Sequence, residues 1–154
     1  NGFLSNFSHV GYWSAGMHFP TSEHHFQCRK VMWATGDARL VEQVRRAKNP
    51  YTAKSMAGRG RSSVHVMDSA QQEAWSAVSE DHMRIVLHAK FAAEPMRGWL
   101  LATLPARLEE WSGWDALWGR GPDGNGENRL GLCLMHVRAE LRAADVASAA
   151  LTQP

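Results

Sequence analysis

The stretch from Pro20 to Lys30, PTSEHHFQCRK, decides the fold of the first half of the chain and holds the candidate chemistry. Thr21 or Ser22 can cap a helix behind the proline, because a hydroxyl oxygen accepts hydrogen bonds from the unpaired N–H groups of a first helical turn. Glu23 then lies in that turn, where the helix dipole favours a carboxylate. The stretch therefore predicts a helix, which we expect to run to about Thr35.

One face of this predicted helix carries an unusual mixture of side chains. Residues three and four positions apart share a face, and here they are an acid, an aromatic ring, an amide and a base: Glu23, Phe26, Gln27 and Lys30. Such a mixture is a poor core face and suits the wall of a pocket. The alternative is a solvated face with paired charges, and on spacing alone that arrangement is the more common one.

The composition is that of an ordinary globular protein. The chain has 154 residues, of which 44% are hydrophobic and 21% charged, and this length suits one domain with a real core. A net charge of +2 does not indicate a large surface that coats nucleic acid.

Cys28 and Cys133 are far apart, which predicts reduced thiols in a cytoplasmic protein. We find no signal peptide and no apolar run long enough to span a membrane.

Eight histidines raise the question of a metal site. His24 and Cys28 lie four positions apart on the predicted helix, and His25 is adjacent. Beyond this pair, no third or fourth ligand follows at a spacing that zinc sites use. We therefore expect no metal ion.

The rest of the chain predicts mainly helices. Residues 3–7 alternate between apolar and polar and predict a short strand or an extended lead-in. Residues 12–19 predict a hairpin, and residues 107–111 predict another short strand. Asp68 and Gln71 resemble a capping box that opens a long helix, and the last third of the chain predicts an amphipathic helix.

Two glycine-rich loops are candidate ligand-binding segments. Residues 58–63, GRGRSS, can close on a phosphate with N–H and guanidinium groups, although loops of this kind are more often merely solvated. Residues 119–124 match GxGxxG, but no hydrophobic strand precedes them and Pro122 interrupts the turn, so we reject a dinucleotide-binding fold. The second loop would still bring Asp115 and Asn128 to the start of a helix, where ligands often bind.

Taken in order along the chain, these residues resemble the signature of the NADAR family, also called the YbiA-like proteins. The resemblance begins at residues 3–7, FLSNF, and residues 21–27, TSEHHFQ, with Lys30. It continues over nearly the whole chain at Gly58-Arg59, Trp75, residues 89–91 (AKF), residues 108–110, Asp115, Trp118-Gly119, residues 126–131 (GENRLG), Leu134-Met135 and Arg138.

The resemblance implies a mainly α (α+β) fold, a single compact YbiA-like domain of several helices with a few short strands. We expect this domain at residues 1–142 and a C-terminal tail at residues 143–154. The members of the family are N-glycosidases that cleave the bond between a ribose C1′ and a nitrogen without a cofactor. Two substrate classes are implied: ADP-ribose attached to guanine, as a base or in nucleic acid, and the ribosylamino-pyrimidine phosphates of riboflavin synthesis.

The positions that match the active site of the family are Glu23, Trp75 and Asp115. We expect Glu23 to stabilise the oxocarbenium charge at C1′ and to orient or deprotonate water. Trp75 would stack on the base, although by itself its position better suits a core residue, and Asp115 would orient the substrate or act as a second acid–base group. The expected substrate-binding residues are Asn6, Phe7, Gln27, Lys30, Arg59, Lys90, Trp118, Gly119 and Asn128, of which the three cations would hold phosphate or steady the carboxylates.

Two functions from other classes remain as alternatives. A non-catalytic module could bind ADP-ribose or NAD, although such a binder gains little from Glu23 and Asp115 beside phosphates. A structural or interaction protein would leave the Glu23 face exposed. We favour the removal of ADP-ribose from guanine over the smaller riboflavin intermediates, because Arg59, Arg61 and Arg120 offer several contacts to a diphosphate. The sequence does not indicate the oligomeric state.

Overall fold

The computed structural model describes residues 2–151, which form two compact units. The first unit ends at Lys90 and the second begins at Phe91. The first contains a 3-10 helix (Gly2–Leu4), the strands β1 (Tyr12–Ser14) and β2 (Met17–Phe19), and the helices α1 (Ser22–Thr35), α2 (Ala38–Arg45), α3 (Pro50–Met56) and α4 (Ser69–Lys90). The second contains α5 (Met96–Leu101) and α6 (Arg129–Leu151). The prediction of a mainly helical fold with few short strands is confirmed.

The helix α1 begins and ends where the sequence predicts. The Thr21 hydroxyl accepts a hydrogen bond from the backbone N–H of His24, so it caps the first turn. At the other end, Gly36 adopts a left-handed conformation, with φ 64°, and its N–H donates to the carbonyl oxygen of Met32. Asp37 then caps α2 by accepting from the N–H of Arg39. These local caps explain why the helix boundaries could be read from the sequence.

The predicted hairpin is present and packs against α1. Its two strands pair antiparallel, with Tyr12 opposite Phe19. The Phe19 ring stacks on the imidazole of His25, with ring centroids 4.1 Å apart, and the Tyr12 hydroxyl lies 3.1 Å from His25 Nδ1. This contact adjoins a hydrophobic cluster of the first unit, whose buried members are Phe19, Cys28, Val31, Val41, Val44, Ala53 and Ala57.

The strand predicted at residues 3–7 is wrong. This segment is a 3-10 helix followed by a turn, in which the N–H of Ser5 donates to the carbonyl oxygen of Gly2 and the N–H of Phe7 donates to the Ser5 hydroxyl. An alternation of apolar and polar residues is typical of a strand, but a strand also needs a partner strand, and among the described residues this segment has none. Instead, the carbonyl oxygen of Asn6 accepts hydrogen bonds from the Glu23 N–H and the Ser22 hydroxyl, which attaches the turn to the start of α1.

The long helix α4 opens with the predicted capping box. The N–H of Gln71 donates to the carboxylate of Asp68 at 2.8 Å, and the N–H of Asp68 donates back to the Gln71 side chain at 3.3 Å. The helix packs against α1, and its buried residues are Trp75, Ser79, Met83, Val86, Leu87 and Lys90.

In the second unit, α5 packs against α6, and a buried arginine of α6 makes hydrogen bonds to the loop that follows α5. The Arg138 guanidinium donates to the Thr103 hydroxyl at 2.7 Å and to the carbonyl oxygen of Ala106 at 2.9 Å. The short strand predicted at residues 107–111 is wrong, because this segment lies in no strand or helix. The expected tail does not begin with a break in the helix: α6 continues to Leu151, and its residues from 142 onward are exposed.

Two expectations about the whole chain concern membranes and thiols. In the part of the chain that the structure describes, no helix is both long and apolar enough to cross a bilayer. Cys28 and Cys133 are both buried, and neither forms a disulfide.

The buried His25 makes the stability of the protein depend on pH. Burial, together with the nearby positive charge of Arg29, lowers the pKa of His25 from 6.5 to about 4. Between these two pH values the unfolded chain binds more protons than the folded one, so stability is complete above pH 6.5 and falls as the pH drops toward 4. A shift of this size corresponds to a loss of about 3 kcal/mol.

We therefore expect the free energy of unfolding, measured with urea at pH 7.5, 6 and 4.5, to fall steadily across this range. The His25→Gln variant should show a much smaller slope. The His18→Gln variant is the control, because His18 is exposed and should leave the slope unchanged. An equal slope in wild type and His25→Gln would show that His25 is not responsible.

Candidate active site

The carboxylate of Glu23 is buried in the first turn of α1. The residue is 5% exposed and its backbone N–H donates to the carbonyl oxygen of Asn6 at 2.9 Å. One turn later, Gln27 Nε2 donates to Glu23 Oε1 at 2.7 Å, and Gln27 is 6% exposed. Because Glu23, Phe26 and Gln27 are all buried, the alternative of a solvated helix face is wrong. The structure therefore places an acid and an amide together inside the protein.

Lys30 extends this face toward two further cations. Burial lowers the pKa of Lys30, the positive charges of Arg59 and Lys54 lower it further, and the negative charge of Glu23 opposes the change. The charges of Arg59, Lys54 and Glu23 therefore all act on Lys30. The expected roles of Lys30 and Arg59 in binding phosphate stay predictions. Arg59 and Lys54 are exposed, so both can reach an anionic ligand.

Two aromatic rings adjoin these cations. Phe7 packs edge-to-face against Tyr51, with centroids 4.8 Å apart, and Lys54 Nζ lies 5.9 Å from the centre of the Phe7 ring. Tyr51 is exposed and lies one turn before Lys54 on α3. Tyr51 and Lys54 were not expected at the site, although their spacing of three on one helix indicates a shared face. The substrate contact expected of Phe7 stays a prediction.

Lys90 is buried at the end of α4 and links the N-terminal turn to α1. Its ammonium donates to the carbonyl oxygen of Ser5 at 2.9 Å and to the Ser22 hydroxyl at 3.4 Å. Lys90 is 2% exposed. Its contacts orient the two segments that flank Glu23, and its expected contact with phosphate stays a prediction.

Trp75 lies among other aromatic rings. The residue is 7% exposed, and its ring contacts those of Phe26, Trp33 and His82 at centroid distances of 5.6, 5.5 and 4.8 Å. This environment favours the core interpretation. The assignment of Trp75 as a stacking platform stays a prediction.

Asp115 belongs to the second unit and organises a turn there. Its carboxylate oxygen Oδ1 accepts hydrogen bonds from the N–H groups of Trp118 at 2.9 Å and Leu117 at 3.2 Å, while its own N–H donates to the Ser112 hydroxyl. These bonds hold the carboxylate in one orientation within the loop. Its role as a second catalytic group stays a prediction.

The other predicted site residues of the second unit make hydrogen bonds or close backbone contacts within that unit. Both ends of the buried Asn128 amide are satisfied, since Oδ1 accepts from the Glu110 N–H at 2.9 Å and Nδ2 donates to the carbonyl oxygen of Leu108 at 3.0 Å. The Gly119 carbonyl oxygen accepts from the Asn128 N–H, and a Cβ on Gly119 would lie 2.8 Å from the Glu110 carbonyl oxygen. The Trp118 carbonyl oxygen accepts from the N–H of Leu130. Their substrate contacts stay predictions.

Two further features bear on ligand binding. Arg120 Nε lies 3.8 Å from a carboxylate oxygen of Glu109, which also pairs with Arg107, so the charge of Arg120 is partly balanced. Within residues 2–151, no group of three or more His, Cys, Asp or Glu side chains is arranged to hold a metal ion.

Comparison with known proteins shows similarity over most of the chain. The family model described as the NADAR domain matches residues 1–142. The N-glycosidase YbiA of Escherichia coli is 40% identical over 141 residues, covering 91% of this chain and 81% of that protein. A riboflavin biosynthesis protein of Vibrio vulnificus is 36% identical over 143 residues, which cover 92% of this chain and 36% of that protein. The solution structure of Escherichia coli YbiA matches with a TM-score of 0.77 at 37% identity, over 94% of this chain and 80% of that one.

The environment of Trp75 leads to a prediction about stability. Replacing this buried ring by alanine leaves a large cavity among its aromatic neighbours, so Trp75→Ala should lower the free energy of unfolding by about 3–5 kcal/mol. Urea unfolding followed by circular dichroism measures this loss. Trp13→Ala is the control, because Trp13 is exposed and its removal should cost little. A stable Trp75→Ala variant that has lost only ligand binding would restore the stacking role.

Proposed function

The chain belongs to the NADAR family of YbiA-like N-glycosidases, and we propose that it removes ADP-ribose from ADP-ribosylated guanine by hydrolysing the C1′–N bond. The observation that carries this proposal is the buried carboxylate of Glu23, held by Gln27 at 2.7 Å with the cations Lys30, Lys54 and Arg59 nearby. A fixed carboxylate suits the positive charge that develops on the sugar, and cations suit the phosphates of the substrate.

The reaction needs one carboxylate at the sugar carbon. As the bond to the base breaks, its electron pair leaves with the base nitrogen, and the ribose acquires oxocarbenium character. The ionised Glu23 stabilises this charge and takes a proton from water as the water oxygen bonds to C1′. The proton taken by Glu23 is released to solvent and the departing nitrogen takes up one proton in exchange, so water is consumed and the products are ADP-ribose and the free base. Asp115 remains the proposed second acid–base group, and no cofactor is needed.

The number of cations supports the diphosphate substrate. A diphosphate carries more charged oxygens than the single phosphate of a riboflavin intermediate, and each charge-assisted hydrogen bond contributes about 1.5–3 kcal/mol. Lys54 and Arg59 are exposed and lie near the half-buried Lys30, so together they can receive two phosphates. The exposed ring of Tyr51 beside Phe7 offers a stacking surface for a purine.

A second candidate substrate is the ribosylamino-pyrimidine phosphate of riboflavin synthesis. It is favoured by the relative that is named a riboflavin biosynthesis protein, and the same carboxylate would act on it. A non-catalytic module for ADP-ribose or NAD is the remaining alternative. Release of the free base distinguishes an enzyme from such a module. We further propose a cytoplasmic enzyme, because its two cysteines form no disulfide, with a small-molecule substrate or ADP-ribosylated nucleic acid as its target.

The first prediction for this function concerns the Glu23 carboxylate. Glu23→Gln keeps the size of the side chain but removes the charge that stabilises the transition state. We expect kcat to fall by about 10²–10³, while binding of ADP-ribose and the melting temperature change little. Glu73→Gln, on an exposed position of α4, is the matched control and should retain wild-type kcat. A near-normal kcat in Glu23→Gln would remove this residue from the mechanism.

The second prediction concerns the substrate. We expect wild type to have a higher kcat/KM for ADP-ribosylated guanine than for the riboflavin intermediate. Arg59→Ala and Lys54→Ala should each lower the first value by about 10–100-fold, since each removes a charged contact to phosphate. Arg120→Ala should change it less than threefold, because Glu109 already balances this arginine. If wild type prefers the riboflavin intermediate, the ADP-ribose assignment is wrong and the N-glycosidase activity stands.

A further inference from the structure

Two buried amide side chains beside Glu23 lack hydrogen bonds that buried amides normally make. Asn6 Oδ1 and Gln27 Oε1 have no partner among residues 2–151, and both residues are more than nine-tenths buried. The amide nitrogen of Asn6 donates only to the Met83 sulfur, at 3.3 Å, and a thioether is a weak acceptor. Leaving a buried acceptor unpaired is unfavourable, and native proteins do so rarely.

The rest of the chain shows that the fold can satisfy amides of the same kind. The buried Asn128 uses both ends of its amide, and Gln71 accepts from the Asp68 N–H while donating to the carbonyl oxygen of Ala34. The two incomplete amides therefore stand out, because each belongs to a residue that is hydrogen-bonded to Glu23. Gln27 contacts the Glu23 carboxylate directly, and the backbone of Asn6 receives the hydrogen bond of the Glu23 N–H.

The bond lengths of an amide place the Gln27 oxygen close to the carboxylate. The nitrogen and oxygen of one amide are about 2.3 Å apart. Since Gln27 Nε2 is 2.7 Å from Glu23 Oε1, the oxygen of the same amide lies no more than about 5 Å from that carboxylate oxygen. Rotating the amide by half a turn would bring its oxygen against the carboxylate, which is repulsive, so the oxygen stays available as an acceptor.

The unpaired side-chain oxygens of Asn6 and Gln27 suit a ligand that donates hydrogen bonds. In the proposed reaction the ribose C1′ lies next to Glu23, and the 2′-hydroxyl is attached to the neighbouring carbon, followed by the 3′-hydroxyl. Each hydroxyl supplies one O–H donor. We propose that the side-chain oxygens of Gln27 and Asn6 accept hydrogen bonds from the hydroxyl groups of this ribose, an inference that rests on the proposed function and names the part of the substrate that these residues bind.

This arrangement would make the site select ribose over deoxyribose. A site built to receive a hydroxyl group rejects an analogue that lacks it, because the acceptor is then buried without a partner. It would also couple binding to catalysis, since Gln27 contacts both the sugar and the carboxylate. A ribose that completes the bonds of Gln27 thereby helps to hold Glu23 Oε1 in place.

The test uses two sugar phosphates that differ in one hydroxyl group, ribose 5-phosphate and 2-deoxyribose 5-phosphate. Each is titrated into the whole protein and binding is followed by calorimetry. We expect wild type to bind the ribose compound about tenfold more tightly. Gln27→Met, which keeps the length of the side chain but removes its acceptor, should reduce this preference to about twofold or less. Asn6→Leu should weaken binding of ribose 5-phosphate. The matched control is Gln71→Met, which should keep the full preference.

Equal binding of the two sugars by wild type, or binding of neither, would overturn the proposal without any variant. A full tenfold preference in both Gln27→Met and Asn6→Leu would overturn it as well. These titrations are independent of turnover, so they separate this inference from the proposed function, which is judged by release of the free base. Circular dichroism verifies that each variant is folded. If Gln27→Met does not fold, wild type and Asn6→Leu still decide the result.

Discussion

The start of α1 is buried although it consists largely of polar residues, and each of its polar groups needs a partner. Residues 21–28 are all buried. The partners come from three segments of the first unit. The Asn6 carbonyl oxygen accepts a hydrogen bond from the Glu23 N–H, and the imidazole Nε2 of His24 donates to the carbonyl oxygen of Ala47 at 3.0 Å. The ammonium of Lys90 donates to the Ser22 hydroxyl. The positions of the N-terminal turn, the segment after α2 and the end of α4 therefore all follow from the requirements of one helical turn.

This dense polar packing fixes the carboxylate that we propose for catalysis. Glu23 is held from its backbone by Asn6 and from its side chain by Gln27, so in the proposed reaction little reorganisation is needed when charge develops on the substrate. The same packing leaves the side-chain oxygens of Asn6 and Gln27 unpaired while neighbouring groups are satisfied. In this turn, stability favours paired hydrogen-bonding groups, whereas the proposed binding of a ligand needs unpaired ones.

The loop of the second unit shows how predicted ligand residues can serve the backbone instead. The chain from Asp115 to Asn128 folds back on itself through backbone hydrogen bonds, such as that from the Gly126 N–H to the carbonyl oxygen of Arg120. A Cβ on Gly126 would collide with the Gly119 carbonyl oxygen, so glycine is required there for close approach. A glycine-rich loop can therefore match the GxGxxG pattern because its backbone segments approach each other closely.

The sequence by itself determined the elements whose causes are local. Thr21 and Gly36 bound α1, and Asp68 with Gln71 opens α4, because each cap depends on residues only a few positions away. It also placed Glu23, Gln27 and Lys30 on one face through the helical period. Only the tertiary structure decided that this face is buried and that the N-terminal segment is a 3-10 turn. It also decided that Trp75 lies among other rings and that Lys54 joins Lys30 and Arg59, because each of these facts depends on segments that are distant in the chain.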